Sequence, residues 1–347
     1  MSLAELLGIS VPILQAPMAG VQGSALAIAV SEAGGLGALP CAMLAPDAMH
    51  KELAAIRART DRPFNVNFFC HHPPEPDAAR DAAWRERLGV YFAELGVDPA
   101  SIPSGPGRLP FNADAAAVLA AFRPPVVSFH FGLPSPDLLE RVRGWGAKVL
   151  SSATTVEEAR WLESHGVDVV IAQGLEAGGH RGMFLSEDLN TQLGTLALVR
   201  QVVQAVKVPV VAAGGIADAA GVAAAMALGA AGVQVGTAYL LCPEASTSTL
   251  HRAALASEAA RVTAVTNVFT GRPARGIVNR AIRELGPIDA AAPAFPQAAP
   301  AMGVLRAKAE SLGRSDFSPL WSGQNASGCR AVPAAEVTRE LARGCAR

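Results

Sequence analysis

The sequence predicts an α/β protein, a (β/α)8 TIM barrel with a smaller, mainly helical C-terminal segment, and three observations carry that prediction. Eight strand-like apolar runs alternate with helical stretches between Val11 and Val235. A chain of 347 residues has room for one barrel and an appendage. The GxGxxG signature that an open dinucleotide-binding sheet carries after its first strand is absent. The expected division is a barrel over residues 1–242, with an insertion at about 73–121, and a helical segment and tail over 243–347 that covers the barrel mouth.

The elements follow in order. Val11–Leu14 is a short strand that ends in the turn Gln15-Ala16-Pro17-Met18-Ala19-Gly20, before a small-residue helix around Ser24–Ala33. Gly34-Gly35 stops that helix, Leu36–Leu39 is the second strand, and Pro46–Thr60 the helix behind it. The third strand, 63–69, places Asn65 and Asn67 on one face, because strand side chains alternate, and two buried amides need partners. The pattern loosens from Pro73 to about Ala121, with an amphipathic piece around Asp77–Leu95 and a Ser/Pro/Gly segment at Pro99–Pro110. Strand-like order returns at Val126–Gly132, Lys148–Ala153 and Val167–Ala172, with helices at Leu139–Trp145 and Val156–His165. A long loop then leads to a helix around Thr195–Val206, a seventh strand at Pro209–Ala213, a helix at Ala219–Leu228 and an eighth strand at Gly232–Val235. Beyond Cys242 the alternation ends, and helical pieces are joined by Thr270-Gly271-Arg272-Pro273 and an Ala/Pro-rich stretch from Ile288 to Pro300.

Composition excludes several function classes. Lys plus Arg number 29 against 30 Asp plus Glu, and no basic stripe offers itself to a run of phosphates, so nucleic acid is not an expected partner. Five cysteines, scattered and without a CxxC pair, argue against a disulfide framework and a zinc site and for a reducing, cytoplasmic setting. The N-terminal stretch lacks the basic residues of a signal peptide. Two charge-free windows, Leu6–Ser31 and Ala219–Pro243, are broken by proline, glycine and glutamine where a strand, loop and helix account for them better than a membrane span. No metal is expected: in Cys70-His71-His72 adjacent side chains on extended chain point apart.

In such a barrel the C-terminal ends of the strands share one face, so Met18, Asn67, His130, Gln173, His180, Gly215 and Thr237 are expected to converge. Gly214-Gly215 and Gly236-Thr237 fall at the seventh and eighth strand ends, where backbone N–H groups and a helix N-terminus commonly hold phosphate. The stretch Ala172–Phe184, AQGLEAGGHRGMF, breaks a buried strand with four glycines and carries Gln173, Glu176 and His180. A phosphorylated cofactor and a strand-end active site follow.

The segments PILQAPMAG, NVNFF, SFHFG, AQGLEAGGHRG, PVVAAGGI and GVQVGTAYL, in that order, closely resemble the nitronate monooxygenase family of the bacterial type, formerly called 2-nitropropane dioxygenases. GRPARG and PLWSGQ extend the resemblance over nearly the whole chain. It implies an FMN enzyme that oxidises alkyl nitronates, such as propionate 3-nitronate, with dioxygen to carbonyl compounds and nitrite through a flavin semiquinone. It places FMN on Pro17, Met18, Ala19, Asn67, Gln173, Gly178, Gly179, Gly214, Gly215, Gln234, Val235, Gly236 and Thr237. His180 matches the family's catalytic base, a role that suits an imidazole because it changes charge near neutral pH, and its cationic form would hold an anionic nitronate. The expected partners are a nitronate and dioxygen; a homodimer is compatible with the resemblance, and no membrane is implied.

Other readings stand beside these. His130 is either a group of the substrate cavity, catalytic with His180, or a core histidine bonded to backbone. Arg272 and Arg275 read most simply as solvated loop charges, Arg272 with a second role in guiding an anion, and Glu176 as a loop-fixing residue. The tail carries Phe317 and Trp321, the first where the resemblance leads one to expect tyrosine. The competing function is NAD(P)H-dependent reduction on a similar flavin barrel, of the enoyl-acyl carrier protein or quinone reductase type, and a third is a barrel that binds FMN without turnover.

Overall fold

The computed structural model describes residues 1–103 and 107–345. Residues 104–106 of the expected insertion and 346–347 of the expected tail lie outside the described residues.

The strands are β1 (Ile13–Gln15), β2 (Gly37–Pro40), β3 (Phe64–Phe69), β4 (Val126–His130), β5 (Lys148–Ala153), β6 (Val169–Gln173), β7 (Gly179–His180), β8 (Val210–Ala213), β9 (Gly232–Val235), β10 (Thr263–Thr266) and β11 (Ala274–Ile277). All but β7, β10 and β11 form one parallel eight-stranded sheet in the order β1-β9-β8-β6-β5-β4-β3-β2. A parallel bridge between Leu14 and Leu36 joins its two ends, so the sheet closes into a barrel. The charge-free runs become strands because they are buried on both faces, as in β6, where Val169, Val170, Ile171 and Ala172 are all buried.

The helices are α1 (Leu3–Leu7), α2 (Ser24–Glu32), α3 (Pro46–Arg57), α4 (Ala78–Leu95), α5 (Ala113–Phe122), α6 (Pro136–Gly144), α7 (Val156–Ser164), α8 (Thr195–Ala205), α9 (Ala219–Ala227), α10 (Thr249–Leu255), α11 (Arg280–Leu285), α12 (Ala299–Ser311) and α13 (Ala334–Ala342). Side-chain caps fix several starts: Asp218 Oδ1 accepts from Gly221 N at the head of α9, and Asn112 Oδ1 from Ala115 N at α5. The first charge-free window holds β1 and α2, the second α9 and β9, and among the described residues no helix is long and apolar enough to cross a membrane.

Three parts of the chain differ from the sequence reading. The loosened region does contain an insertion, but it ends in α5 (Ala113–Phe122), the regular third barrel helix. Its long helix α4 does not lie beside α5; Trp84, Leu88, Tyr91 and Phe92 instead join Ile282, Leu285, Met302, Leu305 and Phe317 in a second apolar core. Phe317 is thus a core residue packed edge-on against Tyr91, with ring centroids 5.2 Å apart.

Residues beyond Cys242 are not only helical: β10 and β11 form an antiparallel hairpin around Thr270-Gly271-Arg272-Pro273, and β11 pairs with the two-residue β7. The end of the chain does more than reach the mouth. Helix α13 packs against α2 and α9 and sends Val337 and Leu341 into the barrel core, so it fills the wall after the eighth strand. Tyr239, fully buried after β9, hydrogen-bonds Thr338 of α13 through its hydroxyl at 2.9 Å. Alternation could not reveal α13, because residues 236–333, which include much of the second core, intervene between β9 and this wall helix.

Candidate active site

The strand C-termini open into a cavity lined by Ala16 to Ala19, Asn67, His130, Gln173, Gly178 to His180, Gly214, Gly215 and Gln234 to Thr237. Every residue singled out from the sequence for cofactor or catalysis therefore faces one space. The cavity lining contains no Asp or Glu.

Local structure fixes these groups. The Ala16–Gly20 turn is held from behind by Gln15 and Gln22, which exchange a 2.6 Å hydrogen bond while Gln22 Oε1 also accepts from Met18 N. On β3, Asn65 and Asn67 do share a face, and both amides donate to the Ser128 hydroxyl of the neighbouring β4, at 2.8 and 2.9 Å. Gln173, the last residue of β6, donates to the His180 carbonyl at 2.9 Å and accepts from Gly182 N at 2.7 Å, closing the loop on itself. Glu176 accepts from Thr195 N and Oγ1 at the head of α8, which is the loop-fixing role read from the sequence.

The end of the cavity at β8 and β9 is built largely from glycine backbone. Gly214 and Gly215 have φ of 121° and 73°, in the region that favours glycine. Across from them Gly178 meets the returning tail so closely that a Cβ on it would sit 2.6 Å from Gly323 N. Gly323 N donates to Thr237 Oγ1 at 2.9 Å, and Thr237–Tyr239 is a short 3-10 helix after the eighth barrel strand. Bare backbone on three sides and an empty acidic inventory suit a phosphate, so the residues present fit FMN. The tail is expected from the sequence to cover the mouth; that its return sets Gly323 and Asn325 against β8 and β9 is visible only in the tertiary structure.

His180 is 9 % exposed and lies on β7, held in line by its pairing with Ala274. Its Nε2 is 2.9 Å from Thr270 Oγ1, whose hydroxyl lies within 3.4 Å of the Arg272 carbonyl. A hydroxyl that donates to that carbonyl accepts from His180 Nε2–H, which leaves the lone pair on Nδ1. Thr270 was invisible as a functional group; the Thr/Val-rich run before Thr-Gly-Arg-Pro was the hairpin signal that could have found it.

His130 resolves to both of its readings at once. It lines the cavity, and its Nε2 donates to the His180 carbonyl at 3.1 Å while Nδ1 accepts from Ser152 Oγ at 3.1 Å. Both ring nitrogens are engaged, one of them with the backbone of His180. The two arginines read as solvated are instead desolvated. Arg275 is 5 % exposed and donates through Nε to the Leu175 carbonyl at 2.8 Å, and the Arg272 guanidinium lies 3.9 Å over the Phe131 ring and donates to the Met183 carbonyl. The rest of the GRPARG hairpin carries them inward, which a local reading of a Gly/Pro turn cannot show. Arg181, wholly buried, ties the Gln173 and Gly174 carbonyls at 2.7 and 2.6 Å. Buried Glu158 ties Thr154 N to Phe184 N, both at 2.6 Å, so the loop is clamped at both ends. Trp321 of the tail faces His180 with ring centroids 5.5 Å apart. Cys70 and His71 are buried and His72 is exposed, and among the described residues no three metal-binding side chains group together.

Electrostatics differ from the sequence expectation in one respect. Burial, then Arg108, His130 and Arg272, push His180 well below its ordinary pKa, so the ring is neutral at neutral pH. Burial likewise pushes His71, His130 and His251 down to about 4. Above pH 6.5 these rings are neutral in folded and unfolded chains alike. As pH falls from about 6.5 towards about 4, the unfolded chain takes up protons that the folded chain refuses, and stability falls across that window. Thermal unfolding followed from pH 7.5 to 4.5 is expected to show a steadily falling midpoint; a constant midpoint would mean that these rings are not desolvated.

The geometry agrees with comparisons to known proteins. A family model described as nitronate monooxygenase matches residues 1–344. A nitronate monooxygenase of Pseudomonas aeruginosa is 45% identical, with 97% of each chain covered. One of Paraburkholderia phytofirmans is 44% identical, over 99% of this chain and 94% of the relative. Among solved structures, nitroalkane oxidase from Streptomyces ansochromogenes superposes with a TM-score of 0.87 at 40% identity, covering 98% and 96% of the two chains. FabK from Thermotoga maritima superposes with a TM-score of 0.73 at 29% identity, covering 99% and 96%.

Proposed function

Because the chain belongs to the nitronate monooxygenase family of oxidoreductases, we propose that it binds FMN in the strand-end cavity and oxidises alkyl nitronates, such as propionate 3-nitronate, with dioxygen to a carbonyl compound and nitrite. The observation that carries this reading is a buried, neutral His180 facing a glycine-walled cavity whose lining holds no carboxylate.

Gly178, Gly179, Gly214, Gly215, Gly236 and Thr237 would hold the phosphate, with backbone N–H groups and a hydroxyl as donors. Pro17, Met18, Ala19 and Val235 would bound the ring system, and Asn67, Gln173 and Gln234 would meet its polar edge. When bound, FMN would supply the redox chemistry that side chains lack. The protein supplies the rest. Burial, with Arg108, His130 and Arg272 beside it, holds His180 neutral, and the two arginines make the cavity attractive to an anion. Neutral His180 would take up a proton from solvent on its free lone pair as the anionic nitronate binds, because the bound anion lowers the cost of the imidazolium, and the cation that results holds the charge of the substrate. His130 and Gln173, both on the His180 carbonyl, keep the ring from swinging away. The five cysteines, free of disulfides, support a cytoplasmic setting.

Mixing the flavin-loaded protein with propionate 3-nitronate under anaerobic conditions is expected to change the visible flavin spectrum, while NADPH leaves it oxidised. Bleaching by NADPH with no response to the nitronate would overturn the proposal in favour of NAD(P)H-dependent reduction.

A further inference from the structure

One cation of the cavity has a place that goes beyond a general attraction of anions. Arg108 enters the lining from the inserted segment after β3, on the far side of the barrel from the β8 and β9 ends that form the phosphate cradle. Its backbone is anchored: the carbonyl accepts from His71 Nε2 at 3.0 Å, and Phe111 N returns to Phe69 O at 2.8 Å. Its guanidinium lies 5.8 Å from the centre of the Phe295 ring, and His180 lies 5.4 Å from the same ring. Arg108 and His180 therefore flank one aromatic ring, and a short molecule can touch both.

The guanidinium is half-buried at the cavity wall, and burial, then the cation Arg306, hold it below its ordinary pKa. Among the described residues no carboxylate acts on Arg108, and the cavity lining has none to offer. A half-buried guanidinium that faces a cavity without a counter-ion is open to an anionic ligand, and its fork of donors matches a carboxylate. The nitronate group belongs at His180, so the anion that meets Arg108 is a second one on the same molecule.

We propose that Arg108 is a specificity-determining residue that selects nitronates carrying a carboxylate at the other end of a short carbon chain; this rests on the nitronate reading above. The selection acts through an ion pair across the mouth, with the phosphate cradle on the opposite wall playing no part.

The test is binding, read without turnover. Isothermal titration of flavin-loaded protein with 3-nitropropionate and with 1-nitropropane gives two dissociation constants for the wild type and for Arg108→Met and Arg108→Lys. The preference for 3-nitropropionate is expected to fall about tenfold or more in Arg108→Met and to be largely restored in Arg108→Lys. A preference unchanged in Arg108→Met, or equal weakening of both ligands, would overturn the assignment. Because neither ligand has to react, this result is separate from whether nitronates are oxidised.

Discussion

Replacing His180 by asparagine is expected to lower nitronate turnover by a factor on the order of 10² or more while FMN remains bound. The amide can still reach Thr270 Oγ1, which now holds Nε2 at 2.9 Å, and β7 can still pair with β11, because that pairing is made by backbone. What is lost is the Nδ1 lone pair and the capacity to take a proton. His130→Asn is expected to cost less. It removes one of the two donors to the His180 carbonyl, and Gln173 still supplies the other at 2.9 Å. Steady-state oxygen consumption with propyl-2-nitronate and propionate 3-nitronate compares the two variants. A collapse confined to His130→Asn would move the catalytic role to the end of β4.

The second large effect is expected at the phosphate cradle. Gly215→Asp should weaken FMN binding on the order of 10²-fold or more, because a carboxylate placed against the phosphate repels it at short range. Two other costs accompany that change. Gly215 has a φ of 73°, and an added Cβ would lie 3.3 Å from Glu176 Cβ, so any side chain there brings some strain. Gly215→Asn carries nearly the same shape and tolerates this backbone conformation, so the ratio between the two variants isolates the charge. Fluorescence titration of the flavin-free proteins supplies both constants. Equal affinities for the Asp and Asn variants would place the phosphate away from β8.

The strand-end residues were legible because barrel geometry does the assembling. Once eight parallel strands are placed, the residue after each strand is fixed on one face, and Asn67, Gln173, Gly215 and Thr237 need no further information to meet. The parts that stayed hidden reach the site through contacts that leave no periodic mark. Thr270 comes in on a hairpin whose partner strand is two residues long, and the same hairpin buries Arg272, which the sequence marks only as a loop charge with a second role in guiding an anion. Arg108 arrives on an insertion that has no regular pattern. His251, in α10, lines the cavity and is 4 % exposed, yet a single histidine in a short helix gives no signal of that. The protonation state of His180 was misjudged for a related reason: its type suggests titration near neutrality, while burial and two arginines from distant segments set its charge.

The central claim is that this cavity oxidises nitronates with dioxygen. Its most direct test is to follow oxygen uptake and nitrite release together when flavin-loaded protein is given propionate 3-nitronate. Concurrent oxygen loss and nitrite appearance, both strongly reduced in His180→Asn, is the predicted result. Flavin-loaded protein that consumes no oxygen and releases no nitrite with this substrate or with propyl-2-nitronate would contradict it.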